Sequence, residues 1–376
     1  MNRIYAISAL NYVVSGALTI LIPLLLLYRD MSVAEIGIVL SVLPLVFLTA
    51  RLVFAAFADY IGWSRIYLYV NWPSTVGSVI IYSLANSTPI FLAGKIAEGL
   101  RESSYWAVIR TSIYNLSPNH AGRQATKNNA IIWIATALGG GIAGVTIAYL
   151  GFSLSLFILA IVSAVIGIPA FLLRKNLIPP KNMKLKEVLA PIDPRGRTRL
   201  FWVASVSLMF ASITVYPIVT LLLPVYMSQQ LSYDYVAIGF VFLLYNAVSA
   251  VGTYFSLKRR LGLRRAIVLS TISIVACAFL VFSNVAFLLA ILALALVRGY
   301  GIGFFEYTIV KVMNNPENIS VDIGLIHIPQ RIAEFVSTMS AGFMVQAFGY
   351  GPVFLLIGIS FAPYSLIALY VINRKK

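Results

Sequence analysis

The sequence has 376 residues, of which 60% are apolar or aromatic and only 11% are charged. A soluble domain carries about 25% charged residues, so the composition excludes a soluble enzyme, because such a chain cannot cover a water-facing surface. A membrane-spanning helix needs ~20 residues, and twelve of them would take ~240. The net charge of +16, from 28 basic and 12 acidic residues, is better explained by basic cytoplasmic loops than by nucleic-acid binding.

The residues that usually hold metals and cofactors are scarce. Cys277 is the single cysteine, and His120 and His327 are the two histidines, so we expect neither a disulfide framework nor a zinc site. The sequence also has no Gly-x-x-x-x-Gly-Lys-Ser/Thr motif for nucleotide phosphates. The sequence therefore predicts no cofactor and no ATP-driven reaction.

Twelve apolar runs, each long enough to cross a bilayer, predict twelve transmembrane helices. They lie at 4–27, 35–57, 66–86, 89–111, 131–149, 152–173, 200–227, 236–257, 266–284, 285–311, 323–347 and 351–372. Basic residues, including Arg110, are frequent at one set of helix ends. The other set of helix ends holds only Arg29. This bias predicts that both termini and the central loop face the cytoplasm of a multi-pass cell-membrane protein.

The chain repeats itself with an offset near 200 residues. The matched pairs are Pro23 and Pro224, Ser32 and Ser232, Gly62 and Gly262, and Arg65 and Arg265. We therefore expect two six-helix halves in parallel orientation, 1–173 and 200–376, joined by a basic cytoplasmic linker at 174–199.

Two short segments carry a resemblance to a known family. Residues 55–65 (AAFADYIGWSR) resemble the loop signature G-x-x-x-D-R/K-x-G-R/K-R/K of the major facilitator superfamily, with Asp59, Gly62 and Arg65 at matching positions. Residues 95–99 (KIAEG) are similar to its R-x-x-Q-G signature. The resemblance implies an all-α fold of twelve helices in two pseudo-symmetric halves. It also implies that Asp59, Gly62 and Arg65 form a conformational latch.

Ionisable residues inside the predicted spans are the main candidates for function. The set is Arg51, Lys95, Glu98, Arg101, Glu102, Arg298, Glu306, His327, Arg331 and Glu334. Facing lipid without partners, these groups would cost on the order of 25 kcal/mol. They must therefore pair with one another or face an aqueous cavity. The resemblance places spans one, four, seven and ten around such a cavity.

Helical periodicity groups these residues further. Lys95, Glu98, Arg101 and Glu102 fall on one face of span four, and His327, Arg331 and Glu334 share a stripe on span eleven. Pairs at i and i+3 within each span are the structural alternative. A polar pathway between the halves is the functional one. Arg298 and Glu306 on span ten belong to the same predicted pathway.

These observations together predict a secondary transporter, not an enzyme, that moves a small organic solute by alternating access. We expect H+ as the coupling ion, with Glu98 and Glu102 as its carriers, and the span-four motif favours export. The alternatives are an uptake symporter or facilitator of an organic anion or sugar, and a non-transporting receptor or lipid scramblase on the same fold. The expected partners are the solute, H+ and membrane lipid, and we expect a monomer.

Overall fold

The computed structural model describes residues 2–61, 63–172, 186–187, 190–258, 262–282, 285–313 and 319–374. The described residues are almost entirely helical. The α-helices are α1 (Asn2–Tyr28), α2 (Val33–Ile61), α3 (Trp63–Ile66), α4 (Trp72–Ser83), α5 (Thr88–Leu116), α6 (Ala121–Leu172), α7 (Arg199–Ile213), α8 (Leu223–Gln229), α9 (Tyr235–Lys258), α10 (Leu263–Phe279), α11 (Val285–Val312), α12 (Ile319–Ile326), α13 (Ile328–Phe348), α14 (Tyr350–Ile359) and α15 (Phe361–Asn373).

Apolar runs become helices because a helix satisfies its own backbone polar groups, which hydrocarbon cannot do. Two of the runs contain a π-helical turn, Tyr67–Asn71 before α4 and Ile218–Leu222 before α8. Each π-helical turn is followed by a proline, Pro73 or Pro224, in the first turn of the next helix. Proline lacks the backbone N–H and fits best at a helix start. Each of these two apolar runs is therefore divided into successive helical segments at its proline.

The long helix α6 contains a chain reversal. Gly151 adopts φ 71° and ψ 175°, a conformation outside the helical region. Only glycine reaches positive φ without steric cost from a Cβ atom. α6 is therefore two successive helical arms, and the reversal falls between the predicted runs 131–149 and 152–173.

Within the described residues, seven helical stretches are long and apolar enough to cross a membrane. They are Asn2–Tyr28, Val33–Ala58, Pro118–Val165, Arg199–Gln229, Tyr235–Lys258, Val285–Val312 and Tyr350–Asn373. The 48-residue stretch Pro118–Val165 includes the reversal at Gly151. α5 does not meet this criterion, although its 29 residues suffice in length, and it carries Lys95, Glu98, Arg101, Glu102 and Arg110. The count of twelve spans stays a prediction.

The predicted halves meet along two pairs of helices, α2 with α13 and α6 with α9. Small residues allow both contacts to be close. A Cβ atom added at Gly144 on α6 would lie 2.4 Å from the carbonyl oxygen of Tyr235. A Cβ atom added at Gly342 on α13 would lie 2.6 Å from the carbonyl oxygen of Val33. The backbones touch at these points, as at other close helix contacts in membranes.

Two large apolar clusters lie at opposite ends of the bundle. One contains Ile4, Phe201 and Val371, so the first and last helices begin and end on the same side, here called the terminal end. The other contains Leu25 and Tyr226, next to the loops at the distal end. Each cluster draws residues from both predicted halves. Polar residues are therefore concentrated between the two clusters.

Most of the predicted linker 174–199 lies outside the described residues. Its described end contains a 3-10 turn at Ala190–Ile192 and the side chain of Arg197. The Arg197 guanidinium lies 2.5 Å from a carboxylate oxygen of Asp322, in the first turn of α12 in the second predicted half. The C-terminal end of the linker is thus tied to the second half.

The topology of the first half can be tested by cysteine labelling. Single cysteines replacing the exposed residues Ser87, His120 and Tyr149 would be introduced into a Cys277→Ala background. With α5 and the first arm of α6 crossing the membrane, Ser87→Cys and Tyr149→Cys should react from one side and His120→Cys from the other. A membrane-impermeant maleimide applied to intact cells and to inverted vesicles gives the measurement. Labelling of all three cysteines from one side would contradict the predicted count.

Candidate functional site

A cavity of about 290 Å³ lies between the two predicted halves. Both halves contribute to its wall, through helices α1, α2, α5 and α6 and helices α7, α11, α13 and α15. The charged and titratable residues that line it are Lys95, Glu98, Arg101, Glu102, Arg110, Arg298, His327, Arg331 and Glu334, together with tyrosines. Glu306 lies directly behind this wall. The cavity therefore gathers every span-located charge singled out in the sequence except Arg51.

The carboxylate of Glu98 has partners on both sides. Lys95 Nζ lies 2.7 Å from Glu98 Oε2, and the Tyr82 hydroxyl donates to the same oxygen at 2.6 Å. Arg101 lies 3.8 Å from the other carboxylate oxygen. All of these residues are at least nine-tenths buried. In a medium of low dielectric constant, such contacts hold the carboxylate strongly.

The carboxylate of Glu102 is held by residues from two helices. Arg101 lies 2.7 Å from Glu102 Oε1, to which the Ser15 hydroxyl of α1 also donates at 2.9 Å. The Tyr12 hydroxyl donates to Glu102 Oε2 at 3.1 Å. Arg101 is therefore the shared base between the two carboxylates on α5. The charged residues of span four form i,i+3 pairs and also line the cavity. The structural interpretation and the polar-pathway interpretation therefore do not exclude each other.

A second network joins the two predicted halves at the terminal side of the cavity. Arg110 on α5 lies 2.5 Å from Glu306 Oε1 on α11, and the Asn129 amide donates to the same oxygen at 2.9 Å. Arg110 also lies 3.0 Å from Nε2 of His327, whose Nδ1 lies 2.5 Å from the carbonyl oxygen of Ile323. A Glu306 carboxylate with 0% exposure is thus paired across the interface.

Sequence analysis missed the role of Arg110. Its position near the end of an apolar run had placed it among the basic residues of cytoplasmic helix ends. The structure instead buries Arg110 to 3% exposure. The signal was present in the helical phase, because Arg110 lies eight residues after Glu102, only about 80° around the helix. A buried carboxylate at Glu306 also required a base, and the two bases of its own helix, Arg298 and Lys311, are not three or four residues away from it.

The span-eleven residues divide between two networks. Arg331 pairs with Glu334, which also accepts a hydrogen bond from the Gln330 amide at 2.9 Å. The Arg331 guanidinium stacks 3.6 Å from the centroid of the Phe47 ring on α2. His327 contacts Arg110 instead, so no His327–Glu334 pair forms. The predicted stripe on span eleven thus contacts α2 through Arg331 and α5 through His327.

Arg51 is buried beside this region without lining the cavity. Its side chain lies 5.3 Å from the Phe47 ring centroid and is 2% exposed. None of its three guanidinium nitrogens has a hydrogen-bond partner among the described residues. The Arg51 side chain therefore faces the protein interior and does not extend along the lipid to the membrane surface.

Arg298 differs from the other bases of the cavity. It lies 4.1 Å from the Trp133 ring centroid and 5.2 Å from that of Tyr245. Trp133 belongs to α6 and Tyr245 to α9, so the guanidinium lies between rings of the two predicted halves. No carboxylate of the described residues lies within ion-pair distance of Arg298. Sequence analysis placed Arg298 on the pathway but gave no indication of the aromatic rings.

The predicted latch is described only in part. Arg65 lies on α3 and is half-buried, whereas Gly62 and the side chain of Asp59 lie outside the described residues. The latch therefore stays a prediction. Within the described part of the chain, no cluster of three or more histidine, cysteine, aspartate or glutamate side chains could hold a metal ion.

The Arg110–Glu306 pair should couple the stability of the two halves. Removing one partner of a buried pair leaves an unpaired charge and costs about 3–5 kcal/mol. Glu306→Met and Arg110→Met should each lower the melting temperature, and the double variant should lose much less than the sum. The exposed pair Asp193 and Arg195 provides the control, with a coupling energy expected below ~1 kcal/mol. Additive losses at Arg110 and Glu306 would show that they act separately.

The fold is similar to that of a solved transporter structure. The human organic anion transporter MFSD10 (TETRAN) superposes with a TM-score of 0.72, covers 98% of both chains and shares 15% sequence identity. This likeness shows the fold. A search of curated proteins finds no match.

The family follows from the sequence over most of its length. A profile described as Major Facilitator Superfamily matches residues 4–315. The matched region includes the first predicted half from residue 4 onward, the linker, and the second half through α11. The resemblance noted at residues 55–65 and 95–99 is thereby confirmed. The chain is a multi-pass membrane protein that belongs to the major facilitator superfamily of transporters.

Proposed function

We propose that this protein is an H+-coupled secondary transporter that moves a small organic solute across the membrane by alternating access. The observation that carries the proposal is the cavity between the halves, in which the buried Glu98 and the half-buried Glu102 lie beside Lys95 and Arg101. A solute site enclosed between two halves is what alternating access requires. The bound carboxylates supply groups that can gain and lose a proton.

The coupling step depends on Arg101, which lies between the two carboxylates. Glu98 and Glu102 are one helical turn apart, and two like charges at that separation resist joint ionisation. In the present arrangement Lys95 contacts Glu98, and Arg101 lies near both carboxylates. Movement of α1 would remove Tyr12 and Ser15 from Glu102, and movement of the bases would favour proton uptake. A proton would then bind in one state and leave in the other.

Different contacts would close the two ends of the cavity in the two access states of the transport cycle. At the distal end, the contact between α1 and α8 is apolar and includes Leu25 and Tyr226. At the terminal end, Arg110 and Glu306 join the halves through a buried ion pair. Rocking would open one end while the other stays packed. The predicted latch of Asp59, Gly62 and Arg65 belongs to the terminal end.

The charge bias of the loops supports the orientation and the location in this proposal. Both termini would lie in the cytoplasm, and the membrane would be the cell membrane. Export is favoured, and the protein would act as a monomer with H+, solute and lipid as its partners. An uptake symporter or facilitator is the first alternative. A receptor or lipid scramblase is the second, and lipid redistribution without solute movement in vesicles would identify the scramblase.

The coupling residues can be separated from the solute site by transport assays. Glu98→Gln and Glu102→Gln should abolish accumulation driven by an imposed pH gradient, because neither variant can carry the proton at that position. Both should retain counterflow, the exchange of labelled for unlabelled solute without a gradient. Reconstituted vesicles give the measurement. Glu35→Gln, an exposed carboxylate at the distal end, is the matched control and should transport normally.

Two results would contradict the coupling role of these carboxylates. Loss of counterflow as complete as loss of driven transport would assign them to solute binding or folding. Driven transport at the wild-type level in both variants would place coupling elsewhere, with Glu306 and Glu334 next in order.

The latch can be tested at Asp59. Asp59→Asn removes the charge and keeps the size, so folding and solute binding should persist while turnover falls, because the balance between states changes more than the site. Initial rates of counterflow and solute affinity should be measured on the same preparation, with Asp30→Asn at an exposed distal loop as the control. Wild-type turnover of Asp59→Asn would reduce Asp59 to a polar helix end.

A further inference from the structure

Among the described residues, every lysine and arginine that lines the cavity pairs with a carboxylate, with the exception of one arginine. The four pairs are Lys95 with Glu98, Arg101 with Glu102, Arg110 with Glu306, and Arg331 with Glu334. Arg298 is the base that lines the cavity without a carboxylate partner among the described residues. The surplus positive charge of the described cavity wall is therefore located at one guanidinium.

The Arg298 guanidinium also has free hydrogen-bond donors. Its Nε and Nη1 atoms are buried and have no partner among the described residues, and the residue as a whole is 9% exposed. Buried polar groups in proteins are nearly always hydrogen-bonded, and an unsatisfied charged donor is especially unfavourable. Two unused donors on a cationic group that lines a cavity indicate an anionic acceptor that completes the site.

Two aromatic rings fix the guanidinium in position. Trp133 and Tyr245 lie 4.1 Å and 5.2 Å from it, within the range of cation–π attraction. The stacking limits the rotation of the arginine side chain before any ligand arrives. A pre-oriented guanidinium loses less conformational entropy on binding an oxyanion than a free one.

The neighbouring wall is suited to an apolar ligand body. Ile302 and Phe305 follow Arg298 on the same helix, and Phe361 and Trp106 line the same cavity. A small inorganic anion would leave these side chains without contacts. A carboxylate or sulfonate attached to an aromatic or branched apolar group would use both the guanidinium and the apolar wall.

We propose that Arg298, held between Trp133 and Tyr245, is the recognition site for the anionic group of an organic-anion substrate, while α5 carries the coupled proton. This inference rests on the proposed transport function and names its substrate class. Because Trp133 and Tyr245 come from different halves, a ligand at Arg298 contacts the surface between them. Binding would therefore respond to the relative position of the halves.

Ligands of one shape and different charge provide the test. Purified protein would be titrated with benzoate, 4-phenylbutyrate and benzenesulfonate, and with the matched amides and phenylalkylamines. A ligand that binds the folded state raises the melting temperature. We expect stabilisation by the anions and little by the amides or amines. Equal stabilisation by the amides, or none by the anions, would overturn the proposal.

Two substitutions test whether the Arg298 guanidinium is the group that binds the ligand's negative charge. Arg298→Gln should weaken anion binding about 10- to 100-fold, the effect of a lost charge-assisted hydrogen bond. Arg298→Lys keeps the charge but not the planar donors, and should lose part of the affinity while the order of anions over amides persists. Arg123→Gln, an exposed arginine, is the matched control. Wild-type anion affinity in Arg298→Gln, at a comparable ligand-free melting temperature, would contradict the assignment.

Transport assays separate this inference from the function on which it rests. Anions that bind through Arg298 but never cross vesicle membranes would leave the anion site in place and overturn the transport proposal. Gradient-driven transport of a neutral or cationic solute that is unchanged in Arg298→Gln would support the transporter and overturn the anion site.

Discussion

The cost of exposing a charge to hydrocarbon determines where the functional residues of this protein lie. A charge at the centre of a bilayer is unfavourable by at least ~2.5 kcal/mol. α5 carries five such residues, and all of them face the protein interior or the cavity. The cavity is polar because these charges have no other place, and each of them has an oppositely charged partner at short distance.

The pairs differ in what they join. Lys95 with Glu98 and Arg331 with Glu334 lie within single helices, so rocking of the halves does not separate their backbones, and only reorientation of their side chains can part them. Arg110 with Glu306 joins different halves, so movement of the halves must change it. In the low dielectric of a buried site a small increase in separation alters the energy of a charge pair considerably. The chemistry of the site and the conformation of the protein are therefore linked through the same residues.

The interface between the halves is close in packing and mostly apolar outside the cavity. Gly144 against Tyr235 and Gly342 against Val33 bring backbones into contact along α6–α9 and α2–α13. Smooth surfaces of small residues allow two helices to move past each other with few side-chain rearrangements. Such surfaces suit a protein whose halves rock around a central site, and Arg298 between Trp133 and Tyr245 lies where the two surfaces meet.

The sequence by itself determined the class of protein, the helical runs, the turn at residues 150–151 and nine of the charged residues around the cavity. These follow from composition, hydropathy and helical phase, which depend only on neighbours along the chain. The same local logic misassigned Arg110, because a basic residue near a helix end looks alike whether it faces water or a carboxylate on another helix.

Only the tertiary structure decided which charges pair between the two halves. Glu306 lies 196 residues from Arg110 along the chain, and no periodicity relates positions so far apart. The aromatic rings around Arg298 come from α6 and α9, one helix of each predicted half. Partner choice depends on how helices of the two halves cross, and that arrangement is set by the packing of the entire bundle rather than by any local pattern.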